Sequence, residues 1–198
     1  MENVNRIGEV IQASSLYFKG QCDELYKSPP FGGFVFVKEE ENNLIAIIDN
    51  IETSSIDPGR ISVSQGEEHL NIDQIYDRHP ELNILLRTTF EARVICTIRD
   101  NQVYPGPSST PPRIHSIVQE AIDTDLNLVA NFHNIVLLIS QVDSQAGDDF
   151  ISSAIRHLSE VSPNKEIFLE TASRELVNLF SSEPIRLNLL ISKIKIGL

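Results

Sequence analysis

The feature that most constrains the fold is a series of short apolar runs between turn-forming residues in the first third of the chain, residues 6–60. Breakers such as Ser28-Pro29-Pro30 and Gly32-Gly33 force the chain to turn between the runs. Runs of this kind, each bounded by Gly, Pro or Asn and recurring at about ten-residue spacing, predict a small β-barrel or β-sandwich. The runs lie at residues 7–11, 16–18, 34–37 and 44–48.

Two segments have particular places in the predicted barrel. Residues 44–48 (LIAII) are apolar without alternation, which is typical of a central strand buried on both faces. Residues 39–43 (EEENN) precede them and predict an exposed hairpin loop. Residues 89–98 (TFEARVICTI) return to strand character, and we expect them to close the barrel.

Residues 54–60 (SSIDPGR) contain three successive residues that favour a turn. Asp57 can bond to its own downstream backbone, Pro58 presets one turn dihedral, and Gly59 can supply the positive φ of a type II turn. One hypothesis is a protruding turn whose Arg60 meets a carboxylate or a neighbouring subunit. The alternative is a well-built turn between two barrel strands. The partner-binding candidates are Ser55, Asp57, Pro58, Gly59, Arg60 and Arg113.

A helical insert is predicted at about residues 71–88. Residues 73–79 form one short helix, and Pro80 suits the first turn of a second helix over 81–90. In that second helix, Leu82, Leu85, Leu86 and Phe90 share a face by helical spacing.

Residues 101–112 (NQVYPGPSSTPP) predict an extended connector, which divides the chain into two domains. Residues 1–112 are the barrel with its insert, and residues 113–198 form a mainly helical region. Arg113 and His115 either pin this joint by hydrogen bonds or belong to an exposed linker. The predicted fold class is therefore α+β.

The helical region follows from apolar periodicity. Its first segment is either a strand or a short helix, the second is a short helix, and the third, IVLLI, predicts a buried strand. Three helices follow, of which the middle one takes Ser162 as its cap and Pro163 as its first residue, and the last opens at Pro184. The six segments are residues 114–121, 123–130, 135–139, 148–161, 164–180 and 184 onward.

The formal net charge is -12, and both halves of the chain are acidic. An acidic surface repels phosphate backbones, so direct nucleic-acid binding is not expected, whereas basic protein partners are favoured. The longest charge-free run, residues 126–142, contains Asn, His and Gln, which are costly in a bilayer, and residues 1–10 do not resemble a signal peptide. We expect a soluble, cytoplasmic protein without membrane insertion.

No motif for catalysis or cofactor binding is present. The chain contains no G-x-x-x-x-G-K-[ST], no G-x-G-x-x-G and no G-x-S-x-G. Cys22 and Cys96 match no metal spacing, and burial as small apolar side chains is favoured over a nucleophilic role. A metal site from residues 67–69 with His79 is disfavoured. We predict no catalytic residue, no cofactor and no metal.

Four segments, RIGEVIQASSLYFKGQC, TSSIDPGR, LLRTTFEA and PPRIH, resemble HAS-barrel proteins over residues 6–115. This is the small β-barrel at the front of HerA-type helicases and rotary ATP synthase subunits, and the stand-alone cyanobacterial and plastid-encoded forms are the most similar. The resemblance implies a barrel that packs in a ring, serves as a docking surface and, if plastid-encoded, lies in the stroma. The motor of the family is a separate P-loop domain, so ATP hydrolysis is not implied.

Three functional hypotheses follow. The first is a non-enzymatic interaction or assembly module that uses the barrel as a platform, with a homo-oligomer as one form of assembly. The second is a regulatory or accessory subunit of a P-loop ATPase or ATP synthase. The third is an enzyme with a site at the junction of the two regions, for which a pocket holding His115 or His133 beside a carboxylate or Cys would be the support.

Overall fold

The computed structural model describes residues 5–57, 59 and 71–196. Within these ranges the chain is α+β, with seven strands and seven helices. The strands are β1 (Arg6–Ala13), β2 (Tyr17–Cys22), β3 (Phe34–Glu39), β4 (Asn42–Ser55), β5 (Leu86–Arg99), β6 (Gln102–Pro105) and β7 (Ile117–Glu120). The helices are α1 (Ile72–Arg78), α2 (Leu82–Leu85), α3 (Asp123–Ala130), α4 (Ile135–Ser140), α5 (Asp148–Val161), α6 (Lys165–Leu179) and α7 (Pro184–Ile196).

Six of the strands close into an antiparallel barrel in the order β1-β2-β5-β4-β3-β7, with β7 pairing back to β1. The seventh strand, β6, extends the sheet from the end of β5 through a two-residue turn in which Asp100 and Asn101 both have positive φ. The barrel predicted from the first third of the chain is present. Its last strand, β7, lies beyond the boundary predicted at residue 112, so the barrel extends to residue 120.

The barrel interior is filled by side chains. Val10, Phe18, Val35, Ile48 and Phe90 belong to one fully packed cluster in which the Phe18 and Phe90 rings meet edge to face. Gly20 of β2 leaves space for the Phe90 ring, because a Cβ at residue 20 would lie 2.2 Å from its Cζ. Side-chain packing, and not a channel, therefore occupies the centre of the barrel.

The outer face of β3, β4 and β5 forms a second core with the helices. The predicted central strand is confirmed, because Leu44, Ala46 and Ile48 point into the barrel while Ile45 and Ile47 point outward. The register of the β4–β5 pair shifts at the step from Ile45 to Ala46 of β4. This shift breaks the alternation of β5, so that its inward-facing and outward-facing positions exchange midway along the strand. Helices α3 to α7 cover this outer face and share its apolar cluster.

Helix α5 is the centre of the helical layer and confirms the predicted face: Phe150, Ile151, Ala154, Ile155 and Leu158 are all buried.

Polar contacts to the side chain of Asp49 also join the helical layer to the barrel. Arg93 Nε donates to Asp49 Oδ2 at 2.7 Å, and the Ser144 hydroxyl bonds to the other oxygen of Asp49. Asp49 is only 8% exposed, so this ion pair is largely removed from water.

Several predicted elements differ from the structure. Residues 135–139, predicted as a buried strand, form helix α4, whose backbone N–H at Val136 is satisfied by Glu175 Oε2 at 3.0 Å. A short apolar run buried on several sides has no periodicity that separates strand from helix. Helix α6 takes its cap from Asn164, and not from Ser162.

The helical insert is shorter than predicted. Helix α2 ends at Leu85, and Leu86 begins β5, because the residues that follow pair with the end of β4 as far as Ser55. The predicted connector also differs, since its first residues form β6. No helix in the described part of the chain is long and apolar enough to cross a membrane.

Candidate functional site

The predicted partner-binding turn follows the end of β4. Ser55 Oγ accepts the N–H of Asp57 at 3.2 Å, and Asp57 Oδ1 accepts the N–H of Gly59 at 2.9 Å. The predicted bond from Asp57 to its downstream backbone is therefore confirmed. Pro58 and Arg60 lie outside the described residues, and so does the predicted type II geometry, which depends on the backbone of Pro58.

Arg113, the sixth predicted residue, lies at the opposite end of β4. Its backbone N–H donates to Glu39 Oε1 at 3.0 Å, and its guanidinium donates to Glu40 at 3.2 Å in the β3–β4 turn. A strand rises about 3.3 Å per residue, which separates Asn42 from Ser55 by roughly 40 Å along β4. The structure therefore does not bring Arg113 together with the turn after β4.

Arg113 and His115 both form hydrogen bonds, but to the barrel and not to the helical region, and their side chains are exposed as the alternative prediction had it. His115 Nδ1 lies 3.1 Å from Glu9 Oε2 on β1, while its backbone N–H donates to Val10 O at 2.8 Å. Hydrogen bonding to His115 and Arg6 lowers the pKa of Glu9 below its ordinary value. These bonds hold the proline-rich segment against the barrel just before β7 begins.

The end of β4, the start of β5 and the two insert helices are together called the insert arm (residues 50–57, 59 and 71–88). Neither α1 nor α2 has a buried residue. The arm nevertheless carries five of the fifteen exposed large apolar side chains in the described chain. These five are Ile51, Ile56, Ile72, Ile84 and Leu85.

The arm continues from the barrel strands β4 and β5, and further contacts hold it to the barrel. The hydroxyls of Tyr26 and Tyr76 are hydrogen bonded, and their rings pack edge to face with centroids 6.2 Å apart. Burial and the Tyr26 hydrogen bond raise the pKa of Tyr76 to about 12. The Tyr26 backbone N–H also donates to Thr88 Oγ1 at 2.8 Å, and Thr88 bonds to Thr53 across the strand pair.

Helix α1 of the arm has a complete cap. Asn71 Oδ1 accepts the N–H of Gln74 at 2.9 Å, and Gln74 Oε1 accepts the N–H of Asn71 at 3.2 Å. This reciprocal arrangement satisfies two donors that a helix start leaves without partners. Sequence reasoning found the insert but did not identify its exposed apolar surface. The available signal was LNIL, a short helix segment in which three of the four residues are apolar.

A concave surface, which we call the junction groove, lies between β3 and β7 of the barrel and helices α3 and α5. Its volume is about 860 Å³. It contains His157 beside Glu160, with Nδ1 4.0 Å from Oε2, and neither His115 nor His133 lines it. His133 instead lines a depression of about 560 Å³ within the helical layer, together with Glu175, which already bonds to Val136 N–H.

The two thiols are buried and protonated at neutral pH. Burial raises the pKa of Cys22 to about 11 and that of Cys96 to about 12. Because the thiolate is the reactive form, neither side chain is suited to nucleophilic attack in this structure. Among the described residues, no group of three or more His, Cys, Asp or Glu could hold a metal ion.

No protein-family model matches the chain, and no curated protein is detectably similar to it.

Proposed function

We propose that this chain is a non-enzymatic protein-interaction module in which a rigid barrel presents the insert arm to a partner protein. The observation that carries the proposal is the exposed apolar surface of the arm: Ile84 is 76% exposed and Ile72 is 67% exposed, on helices without a buried residue. Exposed apolar side chains that form a patch with polar surroundings are typical of protein-interaction sites.

Burial of the arm's apolar side chains would contribute free energy of binding to a partner protein. Fully burying one Ile or Leu contributes about 1.5–3 kcal/mol relative to leaving it exposed. Each of Ile72, Ile84 and Leu85 is therefore suited to act as an apolar anchor in an interface. A partner that covers them would also remove the cost of keeping apolar helices in water.

The turn after β4 contributes by fixing part of this surface. The Ile56 backbone N–H donates to Leu85 O at 2.8 Å, which places residue 56 directly beside the end of α2. The hydrogen bonds accepted by Ser55 and Asp57 fix the backbone that follows Ile56 in the chain. Ser55, Asp57 and Gly59 then act as supports for Ile56, and this ordering lowers the entropic cost of binding.

The charge of the arm favours a basic partner. Its described acidic residues outnumber its arginines, and the whole chain has a formal net charge of -12. Association of two copies through this surface would bring like charges together, whereas a partner with Lys or Arg around an apolar patch would be attracted. The acidic residues are Glu52, Asp57, Asp73, Asp77 and Glu81, and the arginines are Arg78 and Arg87.

A P-loop ATPase or ATP synthase subunit is the second candidate for the partner, with this chain as its accessory subunit. The closed antiparallel barrel is compatible with the resemblance to HAS-barrel proteins, and that resemblance is the basis for this candidate. Co-elution of the native protein with a P-loop ATPase would distinguish this candidate from a partner of another class.

Site-specific photo-crosslinking tests the main proposal. A photoreactive amino acid is placed at Ile84 or Ile72 of the full chain, and the matched control carries it at Ile167, an isoleucine of α6 that is 60% exposed. We expect a discrete adduct from the arm positions in native extract, and no such adduct from Ile167. The adduct partner is then purified, and its affinity for the Ile72→Ser/Ile84→Ser variant is compared with that for the unmodified chain.

The expected result is an affinity loss of at least about tenfold, because both side chains lose their apolar contact area. The variant should unfold at the same urea concentration as the unmodified chain, since surface substitutions of this kind usually change stability by less than about 0.5 kcal/mol. Adducts that are equal at the arm and at Ile167, or an affinity that the variant does not change, would contradict the proposal. An adduct with a second copy of the chain would contradict the basic partner.

A further inference from the structure

The junction groove has an apolar floor. Phe34 and Phe36 project outward from β3, and Leu126 of α3 faces them. Ile122, which is 47% exposed, continues the apolar surface to the rim. The volume of about 860 Å³ lies within the range of about 300–1,000 Å³ that is common for ligand sites.

The rim of the groove is acidic. Glu120, Asp123 and Glu160 line it, and none of them forms an ion pair with a Lys or Arg of the described residues. Glu120 Oε2 accepts a neutral hydrogen bond from the Asn5 amide, at 2.7 Å. Lys38 on β3 is the one lysine or arginine among the described lining residues.

We infer that the junction groove binds a basic peptide segment that combines apolar side chains with Lys or Arg, at a surface separate from the insert arm. Ile122, together with the small exposed parts of the apolar floor, provides contact area for apolar side chains of such a segment, and the three carboxylates attract its cationic groups. A fully enclosed small molecule fits less well, because the acidic rim residues are exposed and ligand sites usually bury most of their ligand.

Binding of anions would be opposed by the same rim, since three carboxylates outnumber Lys38. This charge balance disfavours phosphate backbones as the ligand and favours a peptide cation. The inference goes beyond the proposed function, because the groove is formed by different elements of the fold from the insert arm. Its binding of a cationic peptide is also expected to weaken with added salt.

The test uses the full chain and a labelled short peptide of alternating lysine and leucine, with the same peptide carrying glutamate in place of lysine as the reference. We expect fluorescence anisotropy to show binding of the lysine peptide only, weakening as salt is added. The triple variant Glu120→Gln/Asp123→Asn/Glu160→Gln should bind roughly tenfold more weakly. Lys38→Glu should bind more tightly, because it removes the opposing charge.

A matched control removes three carboxylates from outside the groove, Glu166→Gln/Glu170→Gln/Glu183→Gln, with the same change in net charge. This control should retain the affinity of the unmodified chain. Ile122→Ser should weaken binding by loss of apolar contact, and the Ile72→Ser/Ile84→Ser arm variant should leave it unchanged. Every residue substituted in these variants is exposed, so folded proteins are expected.

Absence of lysine-peptide binding at low salt would overturn the inference. Equal weakening by the control triple variant would also overturn it, because attraction would then be a property of the whole acidic surface. Loss of binding in the arm variant would overturn it as well, since the peptide would then lie on the arm. None of these results affects the photo-crosslinking outcome, so failure of the groove and failure of the arm can be told apart.

Discussion

Gly20 and Phe90 are neighbours across the β2–β5 pair, and the Phe90 ring occupies the space that a side chain at residue 20 would need. A Cβ there would lie 2.2 Å from Cζ and 2.7 Å from Cε2 of Phe90. The ring cannot move away freely, because it is fully buried in the barrel and packs against Phe18.

We therefore expect Gly20→Ala to destabilise the protein by about 1–3 kcal/mol, which is the usual cost of overpacking a core. Phe90→Leu should also destabilise the protein when it is the only change. In the double variant the smaller side chain at residue 90 leaves space for the added methyl group at residue 20, so the combined loss should be smaller than the sum of the single losses. Urea unfolding of the unmodified chain and the three variants measures this coupling, and strict additivity would show that the two residues do not compete for space.

The largely buried ion pair between Asp49 and Arg93 predicts a measurable loss when one partner is removed. Asp49→Ala leaves the Arg93 guanidinium, which is 21% exposed, without its carboxylate and removes the acceptor of Ser144, so we expect a loss of about 1–3 kcal/mol. Glu170→Ala is the matched control, because it breaks an exposed pair with Arg174 on α6. That change should cost no more than about 0.5 kcal/mol. Similar losses of unfolding free energy for the two variants in urea would contradict the prediction.

The thiols predict that stability falls at high pH. The folded-state pKa values of Cys22 and Cys96, about 11 and about 12, are both above the ordinary value of 9.0. The folded state therefore holds its thiol protons more tightly than the unfolded state, and their contribution to stability is lost as pH rises from about 9 towards 12. In urea unfolding across this window, the Cys22→Ala/Cys96→Ala variant should show a shallower decline. Parallel curves for the two chains would argue against it.

Asp125 predicts a change of the same sign in the acidic range, because its folded-state pKa is also raised. Burial raises its pKa above the ordinary value of 3.8, and the hydrogen bond from Asn43 at 2.9 Å only partly offsets this effect. The ionised carboxyl is therefore unfavourable in the folded state, so Asp125→Asn should stabilise the protein at pH 7 in urea unfolding. At a pH below 3.8 the native carboxyl is protonated, and the advantage should disappear. A stabilisation that is equal at both pH values would exclude ionisation as its cause.

The elements that the sequence predicts well are those with a strong and unambiguous period. The face of α5 repeats over fourteen residues, so its pattern alone identifies the helix. The apolar run 44–48 has no such period, and its prediction as a strand depends on the turn-forming residues that precede it. Helix α4 is wrongly predicted as a strand because its six residues are nearly all apolar. Its state depends on tertiary contacts such as that between Glu175 and Val136, which no local pattern shows.

The candidate surfaces are less predictable than the fold. Asp57 and Gly59 indicate a turn, but they do not show that Ile56 lies beside Leu85, because that contact joins the two ends of the insert. The junction groove depends on β7 returning to pair with β1 and β3, so that residues far apart in sequence line one depression. Geometry of this kind arises from strand order, and hydrophobic periodicity does not determine strand order.

The pairing of β7 has a consequence for how the chain is made. Strand β1 begins at Arg6, yet its partner β7 ends at Glu120, so the barrel cannot close until more than half of the chain has left the ribosome. Until then the facing edges of β1 and β3 have no partner, and exposed strand edges are prone to pair with other chains. The nascent protein therefore passes through a stage in which it needs protection from aggregation, and a fragment ending at residue 112 would remain at that stage.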